Sequence, residues 1–473
     1  LLGCGSDAEL SRRNKSRTAN IEPNLGNRRK LLEEAISSEE KCLELCNKVI
    51  PYYEKMGETT LFAAFYGYQD TYAILLTRLY GLTSNPEHVR KAIEIQQKAI
   101  ESASKLDLVS LIADSYWKIA KAQDTLGKHL EAAENFKNAS ESYIKAANRI
   151  PQLSAFYQDH ASYMEAWSEI EKAKHHHVEK QYGQAKEHYE KTANLHKSTK
   201  RWSYLAPNYL AWARLEEAED QSRKEQTEEA KDLFQQTANL FTEAKESVQT
   251  TLEKMESKDE KEMLTNLAKA SDIRHEYCLG RTALEEAKIL DRQGDHAASS
   301  RKYGSAAEKF QKAADTMEHE SDRQELKPII CLCHAWQTMT QAEASPDSYK
   351  EASRLFEEAK DQSLDEKAKM LALGHSRFCK GLEAGTRFED VRDTSLHALA
   401  TQHMESAASY YLKAGFKDAA EYAEATQRLL DAYLYMHNAK TETDPDKKAR
   451  FYIMAEKVLQ ASAGSYLKAK HPE

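Results

Sequence analysis

The chain has 473 residues, 30% of them charged and 41% apolar, with 67 Lys and Arg set against 76 Asp and Glu for a formal net charge of −9. The two signs are interleaved, which excludes a dedicated nucleic-acid binder, since such a protein needs a basic face to displace counterions. An aromatic content of 9% is too high for a disordered chain. The scarcity of proline (9) and glycine (16), with no proline between Pro207 and Pro328, marks an all-α protein.

At the start of the chain, Arg12, Arg13, Lys15, Arg17, Arg28, Arg29 and Lys30 face only three acids among Gly, Asn and Ser, so residues 1–27 read as a flexible basic arm. The opening Leu1-Leu2-Gly3-Cys4 resembles the end of a bacterial lipoprotein signal. No charged start or apolar core precedes it and there is no initiator Met, so the chain reads as a fragment or a processed form. The expected location is the cytoplasm, with a lipid anchor at Cys4 as the alternative. The most apolar run, TLFAAFYGYQDTYAILLTRLYGL from Thr60, carries Asp70 and Arg78 and reads as two buried helix segments, not a membrane span.

From Ala92 onward a pattern recurs. Residues Ala166–Leu195 (AWSEIEKAKHHHVEKQYGQAKEHYEKTANL) match Ala211–Leu240 (AWARLEEAEDQSRKEQTEEAKDLFQQTANL) without a gap, 45 residues apart. Identical positions include Trp167 and Trp212, Glu171 and Glu216, Ala185 and Ala230. The core of the pattern is Ala, then an aromatic four residues on, then a small residue three further. It appears at Ala132-Phe136-Ala139, Ala306-Phe310-Ala313, Ala352-Phe356-Ala359 and Ala407-Tyr411-Ala414, with degenerate copies from Ala92 and Ala455. Spacings of four and three place these residues on one helical stripe, small where a neighbour crosses closely and aromatic where a gap must be filled. Each copy follows a second helical segment and a turn such as Leu126-Gly127-Lys128. The unit is therefore an antiparallel helical hairpin, repeated every 40–55 residues about eight times over residues 28–473. The step from Ala230 to Ala306 is longer, and Glu243–Leu267 is expected to form an additional or an extended helix. The repeat runs almost to His471-Pro472-Glu473, which raises the expectation of further repeats or an output domain beyond.

Over residues 86–470 this pattern resembles the tetratricopeptide-repeat superfamily. The carriers are His129, Ala132, Phe136 and Ala139, or Tyr349, Ala352, Phe356 and Ala359, in the second helix, and Tyr116, Ile119 and Ala120 in the first. The period exceeds the usual ~34 residues, and the long hairpins, with SAASYYLKAGFKDAAEYAEATQRLLDAY from Ser406, are more similar to the SNAP-like branch. The resemblance implies a right-handed α-α superhelix (solenoid) and carries no chemistry.

Motifs for catalysis are missing from the sequence: no glycine-rich phosphate loop, no GxSxG, no HExxH and no paired CxxC. The seven cysteines, an odd number with no paired CxxC spacing, read as reduced thiols, and Cys331-Leu332-Cys333-His334 lacks a second ligand pair for zinc. His175, His176 and His177 fall where the matching copy has Asp220, Gln221 and Ser222, so they read as an exposed end of a first helix. No catalytic residue, metal or cofactor is expected. The expected function is a non-catalytic scaffold or adaptor that binds a protein or peptide along a concave helical groove, with neither nucleic acid nor membrane span involved. The candidate anchors are Trp117, Lys118 and Lys121, against the alternative that Trp117 packs on the next hairpin. Two other readings stand beside this one: a peptide-gated regulator whose solenoid changes shape, and an all-helical enzyme with a closed polar cavity.

Overall fold

The computed structural model describes residues 15, 18, 19, 21–318, 320–341 and 346–469. These contain 17 long helices joined by short turns, and no strand among the described residues. They are α1 (Leu25–Lys55), α2 (Thr60–Thr83), α3 (Pro86–Lys105), α4 (Val109–Thr125), α5 (His129–Arg149), α6 (Ser154–Val178), α7 (Tyr182–Ser198), α8 (Ala206–Arg223) and α9 (Thr227–Leu252). The series continues with α10 (Lys258–Arg292), α11 (His296–Thr316), α12 (Glu320–Gln341), α13 (Pro346–Gln362), α14 (Glu366–Val391), α15 (Thr394–Ala414), α16 (Lys417–Thr441) and α17 (Pro445–Lys468). The chain divides within α8 into two compact units, Leu1–Glu216 and Glu217–Glu473. Within each unit, packing is dominated by helices that are neighbours in sequence, giving a solenoid-type succession of helical hairpins.

The repeated stripe does what its spacing requires. In the first unit, Ala132, Phe136 and Ala139 on α5 are 0%, 1% and 0% exposed. In the second, Ala306-Phe310-Ala313, Ala352-Phe356-Ala359 and Ala407-Tyr411-Ala414 are buried in the same way. Burying one such ring contributes roughly 2–3 kcal/mol. The ring needs a dent in the facing helix. A Cβ added at Gly374 on α14 would lie 2.6 Å from Tyr411, and one at Gly280 on α10 would lie 2.8 Å from Phe310. Gly280 occupies the place held by Ala166 and Ala211 in the other copies, both fully buried.

The turn between first and second helix is also repeated. Gly127, Lys180, Glu225 and Gly294 all have positive φ (70°, 59°, 58° and 76°). In each case the amide of the following residue bonds a carbonyl five residues back: Lys128 to Gln123, Gln181 to His176, Gln226 to Gln221 and Asp295 to Leu290. This six-to-one bond satisfies a carbonyl at the helix end, and the left-handed residue makes it possible. Two copies use Lys180 and Glu225 where glycine is less strained.

Two expectations are refined. The run from Thr60 is one uninterrupted helix, α2, and not two segments; Phe62, Tyr66, Gln69, Tyr72, Leu76 and Leu79 form its buried side. It contains no proline, and its two glycines, Gly67 and Gly81 in the last turn, cost a helix only about 1 kcal/mol each. The long step after Ala230 is taken up by extension: α9 has 26 residues and α10 has 35, where α7 has 17 and α8 has 18. Glu243–Leu267 thus covers the end of α9, a turn capped by Ser257, and the start of α10. No helix among the described residues is long and apolar enough to cross a membrane. Of the basic arm, Cys4 and most of residues 1–20 lie outside the described residues. Ala19 is buried with Leu32, Ala35, Leu75 and Leu79, Lys15 pairs with Glu34 at 3.0 Å, and Asn24 caps α1.

His196 on α7 stands where the next copy has Phe241, and it is fully buried. Its ring stacks on Tyr209 at 5.1 Å, and neither ring nitrogen has a hydrogen-bond partner among the described residues. Burial pushes its pKa down to about 4. The folded state keeps this imidazole neutral, whereas the unfolded chain takes up a proton near pH 6.5, so stability is lost as pH falls from 6.5 toward 4. His196→Phe should remove a loss of roughly 2 kcal/mol between pH 7 and pH 5, read as a smaller drop in urea midpoint than in the parent. At the turns, Glu225→Gly should raise stability by about 1 kcal/mol, since glycine relieves the left-handed strain; thermal unfolding of the single variant checks it.

Candidate partner-binding site

α4 positions the three residues singled out in the sequence. Its Ala113, Ile119, Ala120 and Ala122 are buried, which turns Lys118 and Lys121 toward the side shared with α2 and α3. The Lys118 ammonium sits between Asp70 on α2 (2.7 Å) and Asp114 (2.6 Å), and Asp70 also accepts from the Gln96 amide at 2.7 Å. Burial alone would depress this ammonium, but the two carboxylates outweigh it and hold its pKa above the ordinary lysine value. Lys121 is different. Burial pulls it below the ordinary value against the more distant Asp114 and Asp124, and its Nζ lies 4.8 Å from the centre of the Trp117 ring. Such a contact contributes about 0.5–1 kcal/mol.

Lys118 and Lys121 are brought together in a groove of about 340 Å³, in which Ile74 and Arg78 of α2 and Ile93 of α3 are the other principal walls. Trp117 is not part of that lining. It packs on the cluster that includes Phe136, Tyr143 and Met164, and its indole N–H is buried without an acceptor among the described residues. The groove itself was not readable from sequence, because Ile74 and Ile93 carry no motif and meet only through the packing of α2 on α3.

A second polar cluster lies one hairpin further on. Asp124, His129 and Glu171 bring ligand atoms within 4.8 Å of one another, a donor set that would suit a divalent metal by type. His129 Nδ1 is 2.8 Å from Glu171 Oε2, and Lys174 Nζ lies 2.8 Å from Asp124 and 2.6 Å from Glu171. The lysine therefore supplies the cation that these carboxylates require, and a metal would have to displace it. Burial pushes the Glu171 carboxyl up despite Lys174 and His129. The same place recurs in later copies: Glu216 pairs with His177 at 2.9 Å, and Glu285 with Ser222 at 2.7 Å and Lys288 at 2.9 Å. All three carboxylates are at most 1% exposed. The sequence signal was present in the identity of Glu171 and Glu216 between the two copies.

The three histidines do end α6, and His177 is exposed. They are nonetheless engaged. His177 bonds Glu216, while His176 stacks on His188 at 5.2 Å, and His188 pairs with Glu169 at 2.7 Å. Burial works against the charge on Glu169, but His188, Lys172 and Lys191 hold its carboxyl well below the usual range. Cys42, Cys46, Cys278, Cys331, Cys333 and Cys379 are not disulfide-bonded, and all are buried except the half-buried Cys331.

No protein-family model matches this chain, and no curated protein matches it either. Among solved structures, a circular tandem repeat protein with novel repeat topology and enhanced subunit contact surfaces matches 98% of this chain and 97% of its own length. The identity is 11% and the TM-score 0.17, too slight a likeness to carry an argument.

The cluster around Lys174 makes a quantitative expectation. Lys174→Ala leaves Glu171 and Asp124 without their cation and should cost about 2 kcal/mol, a buried-pair penalty reduced because the lysine is a third exposed. Glu171→Gln, which keeps a hydrogen-bonding group without the charge, should cost less. Urea midpoints of the two variants decide the order.

Proposed function

We propose that the protein is a non-catalytic interaction scaffold of the tetratricopeptide-like class, working in the cytoplasm, and that it binds a protein or peptide segment in the α2–α3–α4 groove. The observation that carries this reading is the combination of apolar walls with cations at one opening. Ile74 is 36% exposed, and Arg78, Lys118 and Lys121 face the same space with no carboxylate in the lining. Lys118 is neutralised by Asp70 and Asp114, which leaves Lys121 as the ammonium best placed to meet an acidic group. A segment with an aliphatic or aromatic side chain next to Asp or Glu fits this chemistry: the side chain enters between Ile74 and Ile93, and the carboxylate meets Lys121. Trp117 then acts from behind, as the surface on which Lys121 rests. The unbridged cysteines are in keeping with a reducing compartment, and stacked hairpins offer extended surface for recognition.

The test is fluorescence anisotropy with a labelled peptide carrying Leu or Phe flanked by Glu. Lys121→Glu should weaken binding about tenfold at low salt, and Ile74→Asp should remove it. Unchanged affinity in both variants, with the fold intact by circular dichroism, would reject the reading.

A further inference from the structure

The junction between the α4–α5 hairpin and α6 has a charge pattern that the next two junctions lack. Three residues before each turn, a side chain faces the buried carboxylate of the next first helix: His177 meets Glu216, and Ser222 meets Glu285. Before the turn at Gly127 that residue is Asp124, and it faces Glu171, which is fully buried. A carboxylate thus opposes a carboxylate where the other copies set an imidazole or a hydroxyl. Like charges this close repel, and the more so where water is kept out. The opening of α5 adds a third group: His129 Nδ1 lies 2.8 Å from Glu171 Oε2 and 3.7 Å from Asp124 Oδ1. The Asp–His half of this set recurs in Asp291 and His296, 3.2 Å apart. Among the described residues, a group of three such ligands forms only at α4–α5–α6.

One imidazole nitrogen and two carboxylate oxygens, brought from three helices to within 4.8 Å of one another, are the donor set of a divalent transition metal. Around a tetrahedral zinc ion, with ligands at roughly 2.0–2.2 Å, the donor atoms stand about 3.4 Å apart. The 2.8 and 3.7 Å separations lie on either side of that value. Lys174 marks the same point, since its ammonium is 2.8 Å from Asp124 and 2.6 Å from Glu171. It stands where a cation shared by both carboxylates belongs, yet it brings one charge to two. Its side chain is also a third exposed. A long, flexible lysine in that position can swing its ammonium into solvent while the three ligands keep their places on the helices.

We propose that Asp124, His129 and Glu171 form a site for a divalent transition metal of the zinc type, and that the Lys174 ammonium holds the place until the ion exchanges with it. The exchange makes three metal–ligand bonds and breaks only hydrogen bonds and ion pairs. Lys174 leaves with its proton, and His129 carries its ring proton on Nε2, so that the Nδ1 lone pair is free for the metal. Water takes the fourth position. The imidazole ligand sets the choice of ion, because Ca²⁺ and Mg²⁺ prefer oxygen donors alone. Bound there, the ion joins the α4–α5 hairpin to α6, independently of whatever occupies the groove at Lys121.

The experiment uses the whole chain, stripped with a chelator and titrated with Zn²⁺ by calorimetry, with Co²⁺ as a visible-absorption probe of the same site. The parent should bind Zn²⁺, and Lys174→Ala should bind it about tenfold more tightly, because no ammonium has to be displaced; His129→Ala and Asp124→Asn should each weaken it by about tenfold or more. Ca²⁺ should give no comparable heat. Zn²⁺ should also raise the thermal midpoint of Lys174→Ala by more than that of the parent, since the ion replaces the cation this variant has lost. The histidines ending α6 are another place where zinc can settle, so His176→Ala/His188→Ala is the control and should keep the tight site. Circular dichroism checks that each variant is folded. Equal affinity in the parent, Lys174→Ala and His129→Ala would overturn the proposal, as would loss of binding in the His176→Ala/His188→Ala control. Binding by Lys174→Ala but not by the parent would overturn it too, and would make Lys174 the permanent cation of the junction.

Discussion

The hairpins of both units depend on a steric condition: a ring on one helix must meet a small residue on the next. Where Phe310 faces Gly280 and Tyr411 faces Gly374, an added Cβ has no room. In the earlier copies Ala166 and Ala211 hold the place of Gly280 and are fully buried, so there the packing leaves room for a methyl group and no more. The rings are joined by small residues of the neighbouring helices into clusters such as that around Phe310, which runs through α10, α11 and α12. Twelve of the largest side chains are almost completely hidden, six of them phenylalanines. That is how a chain with 41% apolar residues can cover so many helices.

Set into this apolar stripe is a polar counterpart. Glu171, Glu216 and Glu285 are buried at equivalent places; Glu171 and Glu285 each keep the lysine three residues on along their own helix, while from another helix Glu171 meets the His129 ring, Glu216 the His177 ring and Glu285 the Ser222 hydroxyl. Buried ion pairs add little net stability over well-packed apolar residues. What differs among these three is the identity of the partner, which gives each junction its own match. A hairpin shifted by one repeat would leave a buried carboxylate facing the wrong group, so the polar positions discriminate between copies that the apolar stripe makes alike.

How much of this was legible in the sequence follows from the kind of interaction. The second-helix stripe was legible because it is local, with Ala132, Phe136 and Ala139 fixed by helical spacing alone. The matched copies at Ala166 and Ala211 likewise placed the first helices. The run from Thr60 was misjudged because the charges of Asp70 and Arg78 suggested a break, whereas Asp70 is met by Lys118 and Gln96 from two other helices. His176 and His177 were read as an exposed end, but their partners Glu216 and His188 belong to other helices, and a pairing across helices leaves no trace in a single periodicity. The site was legible only in part for the same reason. Lys118 and Lys121 belong to one turn of α4, while Ile74 and Ile93 join them only through the packing of α2 against α3.

The repeated turn has a consequence for how the chain is made. Each six-to-one bond at Gly127, Lys180, Glu225 and Gly294 is closed by backbone atoms lying within six residues of one another, and the packing that follows joins helices adjacent in sequence. A hairpin can therefore begin to form as soon as its own residues leave the ribosome, and it becomes stable once the next one covers its apolar face. Synthesis and folding can proceed at the same front. Each finished hairpin then presents its small-residue face as the template on which the next ring is seated, so the order of translation is also the order of assembly.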